Sequence, residues 1–350
     1  EFWLTSRPNG FQHTGLFGVW NISDRLSSLS VRAETEADFQ ATIAFAAAHN
    51  LRLVVKATGH DWYGRSTAAG SLLLWTHLRK EINWHESFVP AGSAEKGVPA
   101  VTVDSGVQFS DLYPSAQRQP FPGDPLGRRT IVMGGGCDSV GVSGCWLGGC
   151  YNVFTKKFGD GATNLLEANV VLANGSLVTV SETSHPDLFF TLRGGGGGNA
   201  AVVTSFTART HPAPRYMISS GFSGHASDMH GFRILLKRTL RALAEARLWP
   251  EELQCASGSP RWNVSGFVAG FGCRHYEGDA QKILALYQPV LAWCEQPAQQ
   301  QLGIHCSSES KMMWNQSGYN ADSKVWDNRS ASVWIGNEPW ISFHADREIS

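Results

Sequence analysis

The first stretch of sequence that could do chemistry places a histidine on a tight turn. In 54-VVKATGHDWYGRS-66 an apolar pair leads into small residues, followed by Gly59 and His60. A strand that ends in small residues exposes consecutive backbone N–H groups, and such a turn can bind a diphosphate without a lysine. Glycine allows the backbone to approach a ligand closely. The imidazole of His60 would then lie at the edge of the pocket that binds the diphosphate. An ordinary surface histidine in a loop is the alternative interpretation.

The second stretch places a thiol among glycines. Cys137 follows three glycines and precedes small residues in 134-GGGCDSVGVSGCWLGGC-150. We expect exposed backbone here, against which a flat ring can lie beside the sulfur. A disulfide between Cys137 and either Cys145 or Cys150 is the alternative, and nothing in the local sequence excludes it.

The third stretch contains five consecutive glycines. In 189-FFTLRGGGGGNAAVVTSFTART-210 the run Gly194–Gly198 follows a predicted helix and precedes a predicted strand. A Rossmann dinucleotide turn has the opposite order, so these glycines are not that fingerprint. We expect them to form a wide turn beneath a cofactor.

Length and charge limit the class of partner. The chain has 350 residues, of which 42% are hydrophobic, and this is enough for about two domains with a proper core. Its formal charge of −1 gives no broad electrostatic reason to expect a nucleic acid or an acidic membrane surface as partner. No apolar run approaches the roughly 18 residues of a membrane span. The sequence therefore predicts small-molecule chemistry, with no nucleic acid, no membrane and no metal site.

Strands and helices alternate through the first part of the chain. Thr35 can cap a helix whose third following residue is Asp38. The apolar positions of that helix are Phe39, Ile43, Phe45 and Ala46. Further helices are predicted near Ser110, over Gly144–Lys157, and from a Ser184 cap through Leu192. The predicted strands are Leu29–Arg32, Leu51–Val55, Leu72–Trp75, Val101–Val103, Ala168–Leu172, Leu177–Val180 and Ala201–Thr207.

The pattern changes past Pro212, where we place a domain boundary. The elements predicted beyond it are a basic helix about Gly231–Arg247, a strand near Asn263–Ala269, a helix about Gly278–Cys294, and Trp-rich irregular sequence to Ser350. The predicted fold class of the chain is α+β.

The three stretches, in this order, resemble the vanillyl-alcohol-oxidase-type flavoproteins with a PCMH FAD-binding domain, and within them the berberine-bridge-enzyme-like oxidases. The resemblance covers about residues 20–210. The residues that carry it are Trp20, Asn21, Phe45, Ala46, His49, Asn50, Gly59, His60, Asp61, Cys137, Val140, Asn164, Asp187, Leu188, Phe189 and Arg193–Gly198. It implies an FAD-binding PCMH-type domain of two α/β subdomains over residues 1–211. Residues 212–350 would form a substrate-binding domain, an antiparallel sheet with helices, that lacks the family's C-terminal segment.

The resemblance also implies a bicovalently attached FAD. His60 would be the 8α-linked residue and Cys137 the 6-S-linked residue, and two such anchors make the flavin a stronger hydride acceptor. Val140 occupies the position that gates oxygen in this family, and valine there suggests an oxidase. The implied cofactor-binding residues are Ala57, Thr58, Gly59, His60 and Asp61 around the diphosphate, Ser66 behind that loop, Cys137, Val140, Gly141, Ser143 and Gly144 at the ring system, and Val203 near the adenine.

The chain departs from the family pattern in three places. Where the family usually has Gly-Gly-His, this chain has Gly144-Cys145-Trp146 and then Cys150. A Cys145–Cys150 bridge would leave Cys137 as the odd thiol, in agreement with its assignment to flavin. The strand before Val203 lacks the usual Phe-Gly. The family's catalytic base also has no clear counterpart in this sequence. The candidates are His305, Glu309, Tyr319 and His344, and each is more often an ordinary structural or surface residue.

Several features favour a secreted, extracellular glycoprotein. The chain begins at Glu1, so either a signal peptide has been removed or this is a piece of something longer. Four C-terminal cysteines allow two disulfides in three connectivities, which stay open. The acceptor sequons for glycosylation are Asn21, Asn174, Asn263, Asn315 and Asn328. Roughly one or two would arise by chance, and accidental spacing is the alternative.

Two functions from different classes follow. The first is a secreted FAD-dependent oxidase that takes hydride from an alcohol, sugar or related small molecule and passes electrons to molecular oxygen, giving hydrogen peroxide. Thirteen tryptophans could supply stacking walls for such a substrate or could equally be core. The second is a non-catalytic flavoprotein scaffold that keeps the fold.

Overall fold

The protein folds into two compact units in a computed structural model that describes residues 26–61, 64–152, 154–214, 216–246, 253–257, 261–263, 266–277, 280–315, 319–320 and 325–326. The described residues of the first unit lie in 26–152 and 158–212, and those of the second in 154–157 and 213–326. The main division thus falls beside Pro212, and the roles of the two units stay predictions.

The chain to Pro212 contains nine strands and five helices among the residues described. The strands are β1 (Leu29–Arg32), β2 (Arg52–Lys56), β3 (Ser71–Trp75), β4 (Ile82–Phe88), β5 (Val98–Asp104), β6 (Thr130–Val132), β7 (Leu165–Val171), β8 (Leu177–Ser181) and β9 (Val202–Pro212). The helices are α1 (Glu36–Ala48), α2 (Phe109–Arg118), α3 (Val142–Leu147), α4 (Thr155–Phe158) and α5 (Pro186–Leu192). Sequence patterns located most of these but missed β4 and β6.

A parallel three-stranded sheet with the order β1-β3-β2 carries the first predicted turn at the end of β2. Helix α1 connects β1 to β2, and its predicted capping box is confirmed. Thr35 Oγ1 accepts from the Asp38 N–H at 3.3 Å, and Asp38 Oδ2 accepts from the Thr35 N–H at 2.8 Å. Phe39 and Ile43 are buried, but Phe45 is 50% exposed, so its assignment to the apolar face was wrong.

The second sheet of the first unit is antiparallel, with the order β4-β5-β9-β7-β8 and β6 paired to β9. Parallel and antiparallel sheets occur in one chain with helices, which confirms the α+β class. Strand β9 is longer than predicted because its central place in this sheet gives it partners along most of its length, from Val202 to Pro212.

Two helix predictions in the chain to Pro212 were wrong in detail. The expected helix over Gly144–Lys157 is instead the two short helices α3 and α4, because Gly149 and Cys150 adopt left-handed φ of 110° and 67° between them. The expected Ser184 cap is also absent. Ser184 Oγ donates to the Thr179 carbonyl at 2.9 Å, and left-handed His185 occupies the cap position of α5.

The second unit is an antiparallel sheet with helices packed on it. Its described strands are β10 (Tyr216–Ala226), β11 (Leu253–Ser257), β12 (Arg261–Asn263), β13 (Gly266–Tyr276), β14 (Ile304–Asn315), β15 (Tyr319–Asn320) and β16 (Val325–Trp326). Its described helices are α6 (Met229–Ala246), α7 (Ala280–Cys294) and α8 (Pro297–Gln301). The main sheet has the order β11-β13-β10-β14. Phe222, Leu235, Tyr287 and Ile304 form the centre of its core.

Part of the secondary structure predicted for this unit was wrong. The single strand near Asn263–Ala269 is divided between β12 and β13, and β14 occupies a segment expected to be irregular. A disulfide joins Cys294 at the end of α7 to Cys306 in β14. Cys255 lies opposite Cys273 in the β11–β13 register, and Cys273 is itself disulfide-bonded.

Among the described residues, no helix is long and apolar enough to cross a membrane. Within the same part of the chain, no group of three His, Cys, Asp or Glu side chains is placed to hold a metal ion.

Candidate functional site

The predicted histidine turn directly follows strand β2. The Trp75 indole N–H of the adjacent β3 donates to the Ala57 carbonyl at 3.0 Å and fixes the start of the turn. Gly59 has φ of 84°, a value that residues with a Cβ rarely adopt. Asp61 then accepts from the Arg65 backbone N–H at 2.7 Å and from its guanidinium, so the loop closes on itself. His60 is held half-buried between these two fixed points.

Burial also changes the charge next to this turn. Lys56, the last residue of β2, is buried, and its ammonium lies 5.8 Å from the centre of the Trp75 ring. Burial lowers the pKa of Lys56 to about 8. Below about pH 8 the charged form of Lys56 would favour an anion bound near the turn, because charges inside a protein are only weakly screened.

The glycine-rich thiol stretch follows β6 and packs against α2. The Tyr113 hydroxyl donates to the Gly135 carbonyl at 2.7 Å. A Cβ on Gly134 would lie 2.3 Å from the Phe109 ring and 2.4 Å from the Tyr113 hydroxyl oxygen, so only glycine fits there. Two of the glycines before Cys137 thus serve close packing against the helix.

A β-turn presents the thiol. The Val140 N–H donates to the Cys137 carbonyl at 3.2 Å, which places Ser139 at the third position of the turn. The Gln108 side-chain amide donates to the Ser139 carbonyl at 2.8 Å, and the Lys80 ammonium donates to Gln108 Oε1 at 3.1 Å. These contacts hold the turn from the side of α2.

The histidine turn and the thiol turn meet. The Gly141 N–H donates to Thr58 Oγ1 at 3.0 Å. A Cβ on Gly141 would lie 3.1 Å from Ala57 Cβ and 3.3 Å from Thr58 Oγ1. Glycine at this position therefore allows two segments far apart in the sequence to pack backbone against side chain.

His60 and Cys137 are connected by one hydroxyl group. Ser139 Oγ lies 2.9 Å from His60 Nε2 and 3.6 Å from Cys137 Sγ. Cys137 is a half-buried free thiol, since the bridge in this region joins Cys145 to Cys150. The alternative of a Cys137 disulfide is thereby removed. Ser139 was not predicted as a site residue, because the only indication in the sequence is its position two residues after Cys137.

The remaining predicted cofactor residues are distributed around this pair of turns. Ser143 is buried and its hydroxyl donates to the Ser105 carbonyl at 2.7 Å, so its side chain is used within the fold. At Gly144 a Cβ would meet no heavy atom within 4 Å. Val140 is half-buried, whereas Val203 is buried in β9 opposite Val170 of β7. Ser66 is half-buried directly after Arg65.

The five-glycine run packs on α3. The Gly196 N–H donates to the Leu147 carbonyl, the last residue of that helix, at 2.7 Å. Gly194, Gly196 and Gly198 all have left-handed φ. The run is therefore a wide turn as predicted, and it satisfies a carbonyl at the end of the helix that begins beside the thiol turn.

The candidate bases lie in the second unit or outside the described residues. His305 is exposed in β14, where it faces His225 across the ladder. Glu309 lies in β14 and Tyr319 in β15, while His344 is outside the described residues.

The predicted glycosylation sequons are distributed over both units. Asn174 is exposed at the β7–β8 turn. Asn263 ends β12, Asn315 ends β14, and Asn21 and Asn328 lie outside the described residues.

Comparison with known families finds a match within the first unit. Residues 27–181 match the FAD binding domain family. An uncharacterized FAD-linked oxidoreductase of Arthroderma benhamiae is 36% identical over 219 residues, which cover 62% of this chain and 37% of that protein. Aurantioclavine synthase of Penicillium expansum is 43% identical over 208 residues, covering 58% and 43%. The chain thus spans less than half the length of these curated relatives.

Solved structures agree with this fold. The VAO-type flavoprotein MtVAO615 of Myceliophthora thermophila is 29% identical and superposes with a TM-score of 0.67 over 83% of this chain and 49% of that one. A glucooligosaccharide oxidase of Acremonium strictum, at 22% identity, has a TM-score of 0.60 over 82% and 53%. The second likeness concerns the fold alone.

Proposed function

We propose that the protein is an FAD-linked oxidase acting on an alcohol, sugar or related small molecule, because residues 27–181 match the FAD binding domain family and the fold superposes on a VAO-type flavoprotein. FAD supplies the redox chemistry when bound, accepting a hydride from the substrate and passing the electrons to molecular oxygen to give hydrogen peroxide. The protein's own residues bind and orient that group.

The residues at the two turns fit a flavin dinucleotide. Small side chains and glycine follow β2, so a diphosphate can approach the backbone closely there. Gly141 admits no larger residue without displacing Ala57 or Thr58, while the position of Gly144 faces open space. The chain here combines tight backbone packing at Gly141 with open space at Gly144 in α3, which suits the binding of a flat ring system.

The observation that carries the proposal is the connection of His60 to Cys137 through Ser139. An imidazole and a free thiol are nucleophiles, and each is held half-buried on a turn fixed by neighbouring hydrogen bonds. We infer that His60 and Cys137 are the two covalent attachment residues for FAD. Val140, in the same turn as Cys137, flanks the attachment site and is our candidate for the position that controls access of oxygen.

Absorption after denaturation tests the attachment, and turnover tests the activity. We expect the purified chain to be yellow and its visible absorbance to stay with the protein after acid precipitation. Addition of sugars and alcohols should bleach that absorbance without oxygen and produce peroxide with oxygen. A colourless chain after reconstitution with FAD would contradict the proposal.

One observation supports a second function, a non-catalytic flavoprotein scaffold. The disulfide Cys145–Cys150 lies where a Gly-Gly-His sequence was expected from the family resemblance. Stable colour with no bleaching by any substrate panel would favour this function over the oxidase. A control with dithionite would show whether the bound flavin can be reduced at all.

We also propose that the protein is secreted and glycosylated. Disulfides persist in oxidising compartments, and the described residues contain the bridges Cys145–Cys150 and Cys294–Cys306. Asn174 is exposed on the β7–β8 hairpin turn, a surface position of the kind that carries glycans. Expression in a eukaryotic secretory host should give a mass that falls after endoglycosidase treatment, and Asn174→Gln should remove part of that difference.

A further inference from the structure

We propose that Ser139 is a positioning residue that passes a proton from Cys137 to His60 and thereby prepares the thiol for attachment, an inference that rests on the proposed function. The side chain lies between the other two, with its oxygen 2.9 Å from His60 Nε2 and 3.6 Å from Cys137 Sγ. Both separations are within hydrogen-bonding range for the atoms involved.

The direction of transfer follows from what each group can donate. A thiol is a weak donor, a hydroxyl both donates and accepts, and an unprotonated imidazole nitrogen accepts. The proposed relay requires the Cys137 S–H to donate to Ser139 Oγ and the Ser139 hydroxyl to donate to His60 Nε2, with Nε2 as the unprotonated ring nitrogen. Transfer along this chain breaks the S–H bond and forms an N–H bond at His60. It leaves a thiolate and an imidazolium, with no change in electron count.

The geometry of this relay is fixed by the backbone. Ser139 is the third residue of the turn closed by the hydrogen bond between Val140 and Cys137. The carbonyl of Ser139 is held by Gln108, and Gln108 is held by Lys80. The backbone that carries the hydroxyl is therefore held in place, within reach of both the thiol and the imidazole. Since the thiolate is the nucleophilic form of cysteine, loss of the relay should slow the reactions of the sulfur.

A matched pair of variants separates the effect of the hydroxyl group from the effect of side-chain shape. Thr and Val have the same branched outline, but only Thr keeps a hydroxyl. In Ser139→Thr we expect sulfur-linked flavin, measured by mass spectrometry of the Cys137 peptide, at the level of the unmodified chain. In Ser139→Val we expect it to form about tenfold more slowly, the effect of one lost hydrogen bond to a charged group. The amount of flavin linked to His60 should fall less than the amount linked to Cys137.

A second readout does not depend on flavin. In the same preparations, the Cys137 thiol that carries no flavin is alkylated with iodoacetamide and the rate is measured on the same peptide. The Val variant should again react about tenfold more slowly than the Thr variant. Ser110→Ala is the control, because Ser110 is exposed, its backbone N–H donates to the Asp138 carbonyl, and no hydrogen bond of its hydroxyl is found among the described residues.

Equal alkylation rates in the Thr and Val variants would overturn the relay, as would equal loss of both flavin linkages in the Val variant. If the unmodified chain carries no flavin on Cys137 but the alkylation rates still differ, the proposed sulfur anchor fails and the relay stands. The two proposals can therefore fail separately.

Discussion

The imidazole Nε2 of His60 lies 2.9 Å from the hydroxyl oxygen of Ser139, although the two residues are 79 positions apart in the chain. The contact joins the turn after β2 to the turn after β6. Each turn is stabilised by its own neighbours. The contact between the two turns therefore depends on the packing of the whole unit and not on either segment alone.

Removal of the two proposed anchors should have separable effects. His60→Ala and Cys137→Ala should each leave one covalent link, so each single variant keeps its colour after acid precipitation. The double variant should release all its flavin on denaturation. Absorbance of the pellet and supernatant measures this directly, and a double variant that retains flavin in the pellet would show that the attachment residues are others.

Gly134→Ala should destabilise the first unit. A Cβ at this position would overlap the Phe109 ring and the Tyr113 hydroxyl, both of which are buried. Overpacking of this kind costs about 1–3 kcal/mol of unfolding free energy. Gly148→Ala is the matched control, since its Cβ would make only ordinary contacts at 3.5 Å and beyond. Urea denaturation measures both, and equal midpoints would contradict the packing described here.

Loss of the Cys145–Cys150 disulfide should loosen the region that carries Cys137. The bridge closes a short loop with a sequence separation of 5, for which chain entropy predicts about 2 kcal/mol of stabilisation. Its Cys145 sulfur also lies 3.1 Å from the Cβ position of Gly135. The variant with serine at both positions should unfold at lower urea. Amide exchange in residues 134–141 should also rise relative to exchange in the β7–β8 hairpin. Unchanged exchange in residues 134–141 would show that the bridge does not support this loop.

Acid should weaken the first unit through His211. Its Nε2 lies 2.6 Å from Asn164 Oδ1, and because the Asn164 amide nitrogen already donates to the Phe158 and Asp160 carbonyls, the histidine is the donor. Burial lowers the pKa of His211 to about 4. An unfolded histidine has a pKa of about 6.5, so between these values the unfolded state binds a proton that the folded state does not.

Stability contributed by this neutral histidine is therefore full above about pH 6.5 and falls as the pH drops towards about 4, by on the order of 2–3 kcal/mol. Urea unfolding between pH 7 and pH 4.5 measures the fall. Other groups titrate in the same range, so the informative quantity is the difference between the unmodified chain and His211→Gln. That difference should shrink as the pH falls, and a constant difference would contradict the assignment.

The sequence by itself determined those features that depend on near neighbours. The capping box of Thr35 and Asp38, the β7–β8 hairpin and the short glycine turn before His60 are set within a few residues by backbone sterics and local hydrogen bonds. The order of the three chemical stretches was also enough to predict an FAD-binding fold, which the domain match confirms.

Tertiary structure decided the rest. That Ser139 contacts His60, and that β9 extends to Pro212, depend on segments far apart in the chain. The sequence left open which cysteine of the glycine-rich stretch is unpaired, and the structure joins Cys145 to Cys150 and leaves Cys137 a thiol. The helix predicted over 144–157 is interrupted because the backbone at Gly149 and Cys150 is left-handed, next to the Cys145–Cys150 bridge, and because the Gly161 N–H donates to the Cys150 carbonyl at 2.7 Å. Contacts between distant segments form only when the sheets and helices pack. The entropy cost of closing the loops between them is then offset by the burial of apolar surface, which an isolated segment cannot achieve.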